Sequence, residues 1–167
     1  MVTARGDVRS TESAIRTAVA GVLDPELPLI TIADLGILRD VEVDGTTTVV
    51  TITPTYSGCP AMEAIANEVR AAATAAGATE VEVRTVLAPA WTTDWITETG
   101  RTTLAAHGIA PPAPRRGDGP VALQLSVRCP QCGSLDTREL SRFSGTACKA
   151  LHACNECKEP FERMKAH

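Results

Sequence analysis

Two segments of the chain repeat apolar residues at the spacing of an amphipathic helix. Residues 10–23 carry one such stripe, and either Ser10 or Thr11 is suited to cap the start of that helix. Residues 60–76 carry another, with Pro60 fitting the first helical position and Gly77 the position just past the end. The pattern predicts these core-facing residues: Ile15, Ala18, Val19 and Val22 in the first helix, and Met62, Ile65, Val69 and Ala72 in the second.

Strand-like segments lie between and after these helices. Residues 38–43 and 46–53 flank Asp44-Gly45, the strongest short-range signal for a β-hairpin. Residues 78–87 alternate in the same way and predict a third strand, and residues 94–107 predict a short helix. The order helix, hairpin, helix, strand, helix predicts a small α+β domain with a mixed three-stranded sheet.

The sequence also indicates where this domain ends. We expect it to span residues 1–109, because residues 110–120, APPAPRRGDGP, have no periodicity and form a proline-rich linker. A strand over residues 121–127 then opens a smaller domain, residues 121–167. Aromatic residues make up only 3% of the chain, so we expect the large ones to anchor the small cores: Trp91, Trp95, Phe143 and Phe161.

Composition narrows the class of protein. The chain has 16 basic and 20 acidic residues, a net charge of −4, and 44% hydrophobic residues, which is typical of a globular protein without a broad nucleic-acid footprint. No run approaches the roughly 18 apolar residues of a membrane span, and charged residues interrupt any signal-peptide pattern. We therefore expect a cytoplasmic protein that binds neither membrane nor nucleic acid, in which six cysteines indicate metal or redox chemistry.

Four of the cysteines form two C-x₂-C pairs separated by twenty-one residues. Two intervening residues let both sulfurs of a pair turn toward one ion, so the two pairs predict a closed tetrahedral cage. A domain of this size has too few large apolar residues to fold on its core alone, and zinc would supply the missing stability. We predict a structural zinc ribbon, with rubredoxin-like iron or an iron–sulfur cluster as the alternative occupant, on Cys129, Cys132, Cys154 and Cys157.

Two further residues in this domain are potential ligands, Cys148 and His152. We interpret Cys148 as a small buried residue and His152 as a packing or surface residue. Residues 121–167 hold seven basic and five acidic side chains, and four thiolates with one Zn²⁺ contribute −2, so the domain is nearly neutral. This balance favours a protein-docking module over a nucleic-acid binder.

The sixth cysteine, Cys59, stands alone before the second helix in the stretch TPTYSGCPAMEAI. At a helix N-cap its pKa would be lowered by the free N–H groups and the helix dipole. Such a thiolate could act as a nucleophile, a redox thiol or a metal ligand, and the plainer interpretation is a small buried residue. A nucleophile needs a base and a redox thiol needs a resolving partner, neither of which the motif shows, so metal ligation is the best chemical use left.

The segments DPELPLITIADLGIL (24–38) and TPTYSGCPAMEAIANEV together resemble the iron–sulfur assembly-factor family that includes SufT-like proteins. With PAWTTDWITETGR, CPQCGS and the C-terminal stretch, nearly the whole chain resembles the D-subunit family encoded with bacterial phenylacetyl-CoA epoxidase, a di-iron oxygenase system. The resemblance implies Cys59 as a ligand of a transient iron–sulfur cluster or iron. It also implies Asp24 and Glu26 as the acidic residues of a hallmark turn, although Asp before Pro is also ordinary turn chemistry.

The resemblance further implies a non-catalytic accessory role in phenylacetate degradation, in which the protein assists delivery of iron or a cluster. Its partners would be the reductase or di-iron component of the oxygenase, with the cluster shared across a homodimer or with the recipient. The alternative is a stable structural subunit of the oxygenase that handles no iron. An enzyme acting through Cys59 on a CoA thioester is a third interpretation, for which no base or CoA-binding pattern is visible.

Overall fold

The computed structural model of the protein describes residues 4–44, 47–113 and 126–165. The chain forms two compact units, Met1–Trp91 and Thr92–His167. None of the helices in the described ranges is long and apolar enough to cross a membrane. The fold is α+β, with a mixed three-stranded sheet in the first unit and a cysteine cluster in the second, as the sequence predicted.

The first unit combines two helices with a two-stranded ribbon and a three-stranded sheet. In chain order its elements are α1 Ala4–Ala20, β1 Leu23–Asp24, β2 Leu27–Thr31, β3 Leu38–Asp44, β4 Thr47–Ile52, α2 Met62–Ala75 and β5 Glu80–Thr85. Strands β1 and β2 form the antiparallel ribbon. In the larger sheet, β4 is central and pairs antiparallel with β3 and parallel with β5. The tip of the predicted hairpin at Gly45 lies outside the described residues.

The core of this unit is formed by the predicted apolar stripes. Ile15 and Val19 on α1 are fully buried, as are Ile65 and Val69 on α2. Ala73 is buried on α2, whereas the predicted Ala72 is only half-buried. The helices form because their apolar positions recur every three or four residues and cover the apolar face of the sheet.

Both helix starts differ from the prediction. Helix α1 begins at Ala4, so Ser10 and Thr11 lie inside it and not at its start. Helix α2 begins at Met62 with Ala61 as its N-cap, so Pro60 precedes the helix and does not occupy its first turn. The reason is a turn in the SGCP segment, where the Cys59 N–H donates to the Tyr56 carbonyl at 3.2 Å.

Trp91 is a core anchor of the first unit, as expected. Its side chain is buried, and its indole N–H donates to the carbonyl of Leu35 at 2.9 Å. Leu35 lies in the turn between β2 and β3, where Gly36 has a φ of 72° that favours glycine. This hydrogen bond therefore connects the C-terminal end of the first unit to the turn between β2 and β3.

The second unit has its own four-stranded sheet. Its elements are a 3₁₀ turn at Thr93–Trp95, helix α3 Glu98–Ala106, and strands β6 Ile109–Ala110, β7 Thr137–Ser141, β8 Lys149–Cys154 and β9 Pro160–Met164. The strand order is β6-β9-β8-β7. Strand β6 runs parallel to β9, and the other two pairs are antiparallel.

The division between the units therefore falls before α3, whereas the sequence suggested a domain boundary after residue 109. The short strand β6 pairs with β9, so residues 109–110 belong to the four-stranded sheet of the second unit. The buried Arg101 of α3 also donates to the carbonyls of Thr93 and Pro112, within the same unit. Of the predicted linker, Ala110 is buried in β6, and residues 114–120 with most of the predicted strand 121–127 lie outside the described residues.

Two expected aromatic anchors of this unit have opposite environments. Phe161 is buried, in a cluster with Ala110, Val127, Cys129 and Cys154. Phe143 is 65% exposed, so the expectation that it anchors the core is wrong. Phe143 follows β7, which lies at the edge of the sheet, so no further strand in the described part of this unit pairs beyond it.

The four-stranded sheet of the second unit contains a largely buried ion pair between Lys149 and Glu162. The buried Lys149 ammonium lies 2.6 Å from the Glu162 carboxylate, which also accepts a hydrogen bond from the Ser144 hydroxyl. Burial opposes ionisation of Glu162, but the hydrogen bonds from Lys149 and Ser144 outweigh it and hold the pKa of this carboxyl below its usual range. The pair thereby fastens the loop between β7 and β8 to β9.

Replacing Glu162 with Gln should destabilise the second unit by about 1–2 kcal/mol near neutral pH, because a buried ammonium loses its counter-charge. The folded pKa lies below the unfolded value of about 4.3, so the contribution is full above that pH and is lost as the pH falls through the folded pKa. Urea unfolding of metal-loaded protein at several pH values would measure the difference. Glu139 is exposed and makes only long contacts, 4.0 Å to Arg142 and 3.8 Å to His152, so Glu139→Gln should change stability by less than about 0.5 kcal/mol.

Candidate functional site

The four cysteines of the two C-x₂-C pairs converge at one point in the second unit. Their sulfurs all lie within 4.8 Å of one another, with Cys129 and Cys157 3.8 Å apart and Cys132 and Cys154 3.6 Å apart. A disulfide would require about 2.05 Å, so the sulfurs are unbonded. Cys129 and Cys154 are buried, Cys132 is exposed and Cys157 is half-buried.

Each pair lies in a turn of the same design. The N–H of Cys129 donates to the Ser134 carbonyl at 2.9 Å, and the N–H of Cys154 donates to the Glu159 carbonyl at 3.0 Å. The residue after each second cysteine is left-handed, Gly133 at φ 77° and Lys158 at φ 65°. The two turns therefore present their sulfurs in matching geometry although only one of them contains glycine.

The electrostatics of the cluster favour a cation at its centre. The backbone N–H groups of Cys157 and Glu156 lower the pKa of Cys154 to about 7, against the effect of burial. The N–H of Glu159 favours the Cys157 thiolate as well, but burial and the sulfurs of Cys154, Cys132 and Cys129 outweigh it and raise the pKa of Cys157 to about 12. Four sulfurs this close cannot all ionise unless a cation compensates their charge.

The spacing fits zinc. A tetrahedron with metal–sulfur distances of about 2.3 Å has sulfur–sulfur edges of about 3.8 Å. The separations of 3.6 and 3.8 Å match those edges. Four thiolates fill the coordination sphere of such an ion and leave no position for substrate, which is the arrangement of a structural site.

The two other candidate ligands of this unit lie outside the four-cysteine group. Cys148 is buried, and its sulfur lies 3.0 Å from the Thr146 hydroxyl, which agrees with its interpretation as a small buried residue. His152 is buried and stacks on Phe161, with 5.7 Å between ring centroids. Burial lowers the pKa of His152, and the charge of Arg163 lowers it further. His152 is therefore a packing residue.

Cys59 lies in the first unit, in the turn between β4 and α2. It is half-buried, and its carbonyl accepts a long hydrogen bond of 3.5 Å from the N–H of Met62. Ala61, not Cys59, is the N-cap of α2, so the predicted position of the thiol at the cap is wrong. The thiol stands one turn ahead of the helix, after the buried Thr53 and Thr55 at the end of β4.

The acidic turn has a clear local role. Asp24 is buried, and its Oδ1 accepts hydrogen bonds of 2.8 Å from the N–H groups of Glu26 and Leu27. This is an Asx-type turn, which closes the ribbon of β1 and β2. Glu26 is half-buried. Within residues 4–44, 47–113 and 126–165, Asp24, Glu26 and Cys59 do not form a metal-binding group, and the four cysteines of the ribbon are the one set of three or more candidate ligands.

Some features of the site could not be found by reading motifs. The left-handed backbone at Lys158 could not be predicted from the residue type, because the position holds no glycine. Aligning the two C-x₂-C pairs would have shown that Lys158 is equivalent to Gly133. The Trp91 contact with Leu35 joins residues 56 positions apart, and no local pattern indicates it.

Comparison with known families finds two separate matches along the chain. Residues 12–84 match the model described as iron–sulfur cluster assembly protein, and residues 114–165 match the PaaD zinc beta ribbon domain. The chain is similar in fold to a domain of unknown function, DUF59, from Bacillus anthracis, at 28% identity and a TM-score of 0.52, covering 57% of this chain and 92% of that one. A conserved hypothetical protein from Thermotoga maritima is 25% identical, with a TM-score of 0.48, over 56% of this chain and 92% of its own.

The two units therefore define a two-part class, an iron–sulfur-assembly-type domain joined to a cysteine ribbon. A protein of Escherichia coli (strain K12), named provisionally as the D component of 1,2-phenylacetyl-CoA epoxidase, is 48% identical over 142 residues, 85% of each chain. At that identity and coverage, the chain belongs to the family of phenylacetyl-CoA epoxidase D components.

The paired turns generate a matched test. Gly133→Ala should destabilise the metal-loaded ribbon by about 1 kcal/mol and weaken zinc affinity roughly fivefold, because alanine resists a positive φ. The cost is conformational, since an added Cβ would meet only the Arg128 guanidinium at an ordinary 3.8 Å. Lys158→Gly should stay within about 0.5 kcal/mol of wild type, because relief of strain offsets the added freedom of the unfolded chain. Competition with a chromophoric chelator measures both, and equal affinities for wild type and Gly133→Ala would contradict the prediction.

Proposed function

We propose that the protein is a non-catalytic accessory factor of the phenylacetyl-CoA epoxidase system in phenylacetate degradation, and that it assists delivery of iron or an iron–sulfur cluster through Cys59. Support comes from the kinship with the E. coli protein and from the match of residues 12–84 to iron–sulfur cluster assembly proteins. The single observation that carries the proposal is the contrast between the two thiol environments. One is a closed set of four sulfurs, and the other is a half-buried cysteine in a loop.

The closed set is suited to holding a zinc ion permanently. Its four sulfurs saturate a tetrahedral ion, so the metal contributes stability to the ribbon and takes no part in transfer. The ribbon then serves as a docking module for the recipient.

Cys59 is suited to transient ligation. A loop thiol with partial exposure can form and release a metal–sulfur bond without unfolding its unit. Iron–sulfur clusters need several thiolate ligands, so the remaining ones come from a second copy of the chain, from the recipient or from a small thiol. Asp24 acts here through the backbone of its own turn. The family resemblance keeps Glu26 as an acidic candidate for iron.

The experiment compares wild type with Cys59→Ser and, as a control that also removes one thiol, Cys148→Ser. After anaerobic reconstitution, wild type and Cys148→Ser should bind iron and sulfide and support oxygenase activity on co-expression. Cys59→Ser should lose the iron and sulfide and at least about tenfold of the matured activity. Zinc should remain near about one per chain in all three.

Normal maturation of the oxygenase by Cys59→Ser would refute transfer through this thiol. If that variant also co-purified with the oxygenase in fixed stoichiometry with zinc as its metal, the protein would be the alternative, a stable structural subunit. The buried carboxylate of Asp24, engaged with its own turn, is the observation that agrees with that alternative.

A further inference from the structure

The ribbon carries an exposed aromatic side chain that its fold does not use. Phe143 is one of two phenylalanines in the chain and is 65% exposed, whereas Phe161 is 4% exposed. Leu140, three residues earlier on the edge strand β7, is 44% exposed. Large apolar side chains left on one short segment are typical of a surface that another molecule covers.

The exposed ring is held in place. The Phe143 N–H donates to the Ser141 hydroxyl at 3.1 Å, and the Lys165 ammonium lies 4.2 Å from the ring centroid. That ammonium also donates to the Ala147 carbonyl at 2.8 Å, so it bridges the ring and the loop that follows. An aromatic side chain ordered before binding loses little conformational entropy when it docks.

The loop behind the ring is fastened as well. Ser144, the next residue, donates to Glu162, which pairs with the buried Lys149 at 2.6 Å. This pairing neutralises Glu162, so its carboxylate does not offset the cations around the ring.

The surroundings of the ring are basic. Arg142 is 87% exposed and reaches Glu139 only at 4.0 Å, and Arg138 on β7 is exposed. The ring contacts the Lys165 ammonium, and the exposed Arg142 directly precedes it in the chain. Such a group is complementary to an apolar pocket rimmed by carboxylates, since phenylalanine fills the pocket and the cations pair with its rim.

We propose that Phe143, with Leu140, Arg142 and Lys165, forms an aromatic–basic knob that inserts into a carboxylate-rimmed apolar pocket on the recipient protein of the epoxidase system. The choice of recipient rests on the proposed function, and the chemistry of the knob rests on the ribbon alone.

A second copy of this chain is a poorer occupant. The carboxylate-rich surface of the first unit is the open face of its sheet, where Asp40, Glu42, Glu80 and Glu82 lie exposed at alternating positions on β3 and β5. The exposed large apolar residues of that unit within the described ranges are Leu23 and Leu87, which lie on neither strand. That face therefore offers the charge but not the apolar pocket.

The test uses the full-length, zinc-loaded chain and the separately purified di-iron and reductase components of the epoxidase from the same organism. Titration calorimetry should show that wild type binds one component, that Phe143→Ala weakens binding roughly tenfold or more, and that Arg142→Glu weakens it most at low salt. Leu87→Ala, which removes a 60% exposed side chain from the other unit, should bind as wild type does. Zinc content and unfolding midpoint should be unchanged in Phe143→Ala, since the ring is outside the core.

Equal affinities of wild type and Phe143→Ala would overturn the knob, as would failure of both components to bind wild type at about 100 μM. Loss of dimer by Phe143→Ala in sedimentation, or loss of binding to a single-stranded oligonucleotide, would overturn the assignment to the recipient protein. Failure of the delivery function is separable, because Cys59→Ser would then mature the oxygenase normally whether or not Phe143→Ala binds.

Discussion

The convergence of four sulfurs between two C-x₂-C turns is the constraint on which the second unit depends. The apolar cluster around the cysteines is small, and two of its members, Cys129 and Cys154, are themselves sulfur ligands. The sheet of this unit brings the turns together at the ends of its strands, and sulfur separations of 3.6–3.8 Å fit one tetrahedral ion. In small domains of this kind, binding of the metal contributes directly to the free energy of folding.

The first unit follows a different logic. Its core consists mainly of aliphatic side chains from the helices and strands, together with Trp91. Its loops hold individual side chains in position. An aspartate closes the β1–β2 turn through backbone hydrogen bonds, a tryptophan holds the loop before β3, and the turn after β4 leaves Cys59 half-buried. Cys59 is thus a partly accessible thiol in a loop, whereas the four sulfurs of the second unit lie within 4.8 Å of one another.

The proposed function assigns stability to the four clustered cysteines of the second unit and metal transfer to Cys59 of the first unit. The second unit contains the buried ion pair of Lys149 and Glu162. It also presents Phe143, an exposed aromatic side chain whose ring contacts Lys165. Under the proposed function, the second unit docks the recipient and Cys59 of the first unit exchanges the ligand.

The sequence by itself determined the features that depend on neighbouring residues. The helical stripes, the hairpin, the third strand and the four-cysteine cluster arise from periodicity and short spacing, which a chain expresses locally. The tertiary structure decided where α2 begins, that α3 belongs with the ribbon through Arg101 and the pairing of β6 with β9, and that Phe143 is exposed while Phe161 is buried. Those outcomes depend on pairing between strands that are distant in the chain and on which side chains cover each face of a sheet. Neither can be inferred from residues that are adjacent in the sequence.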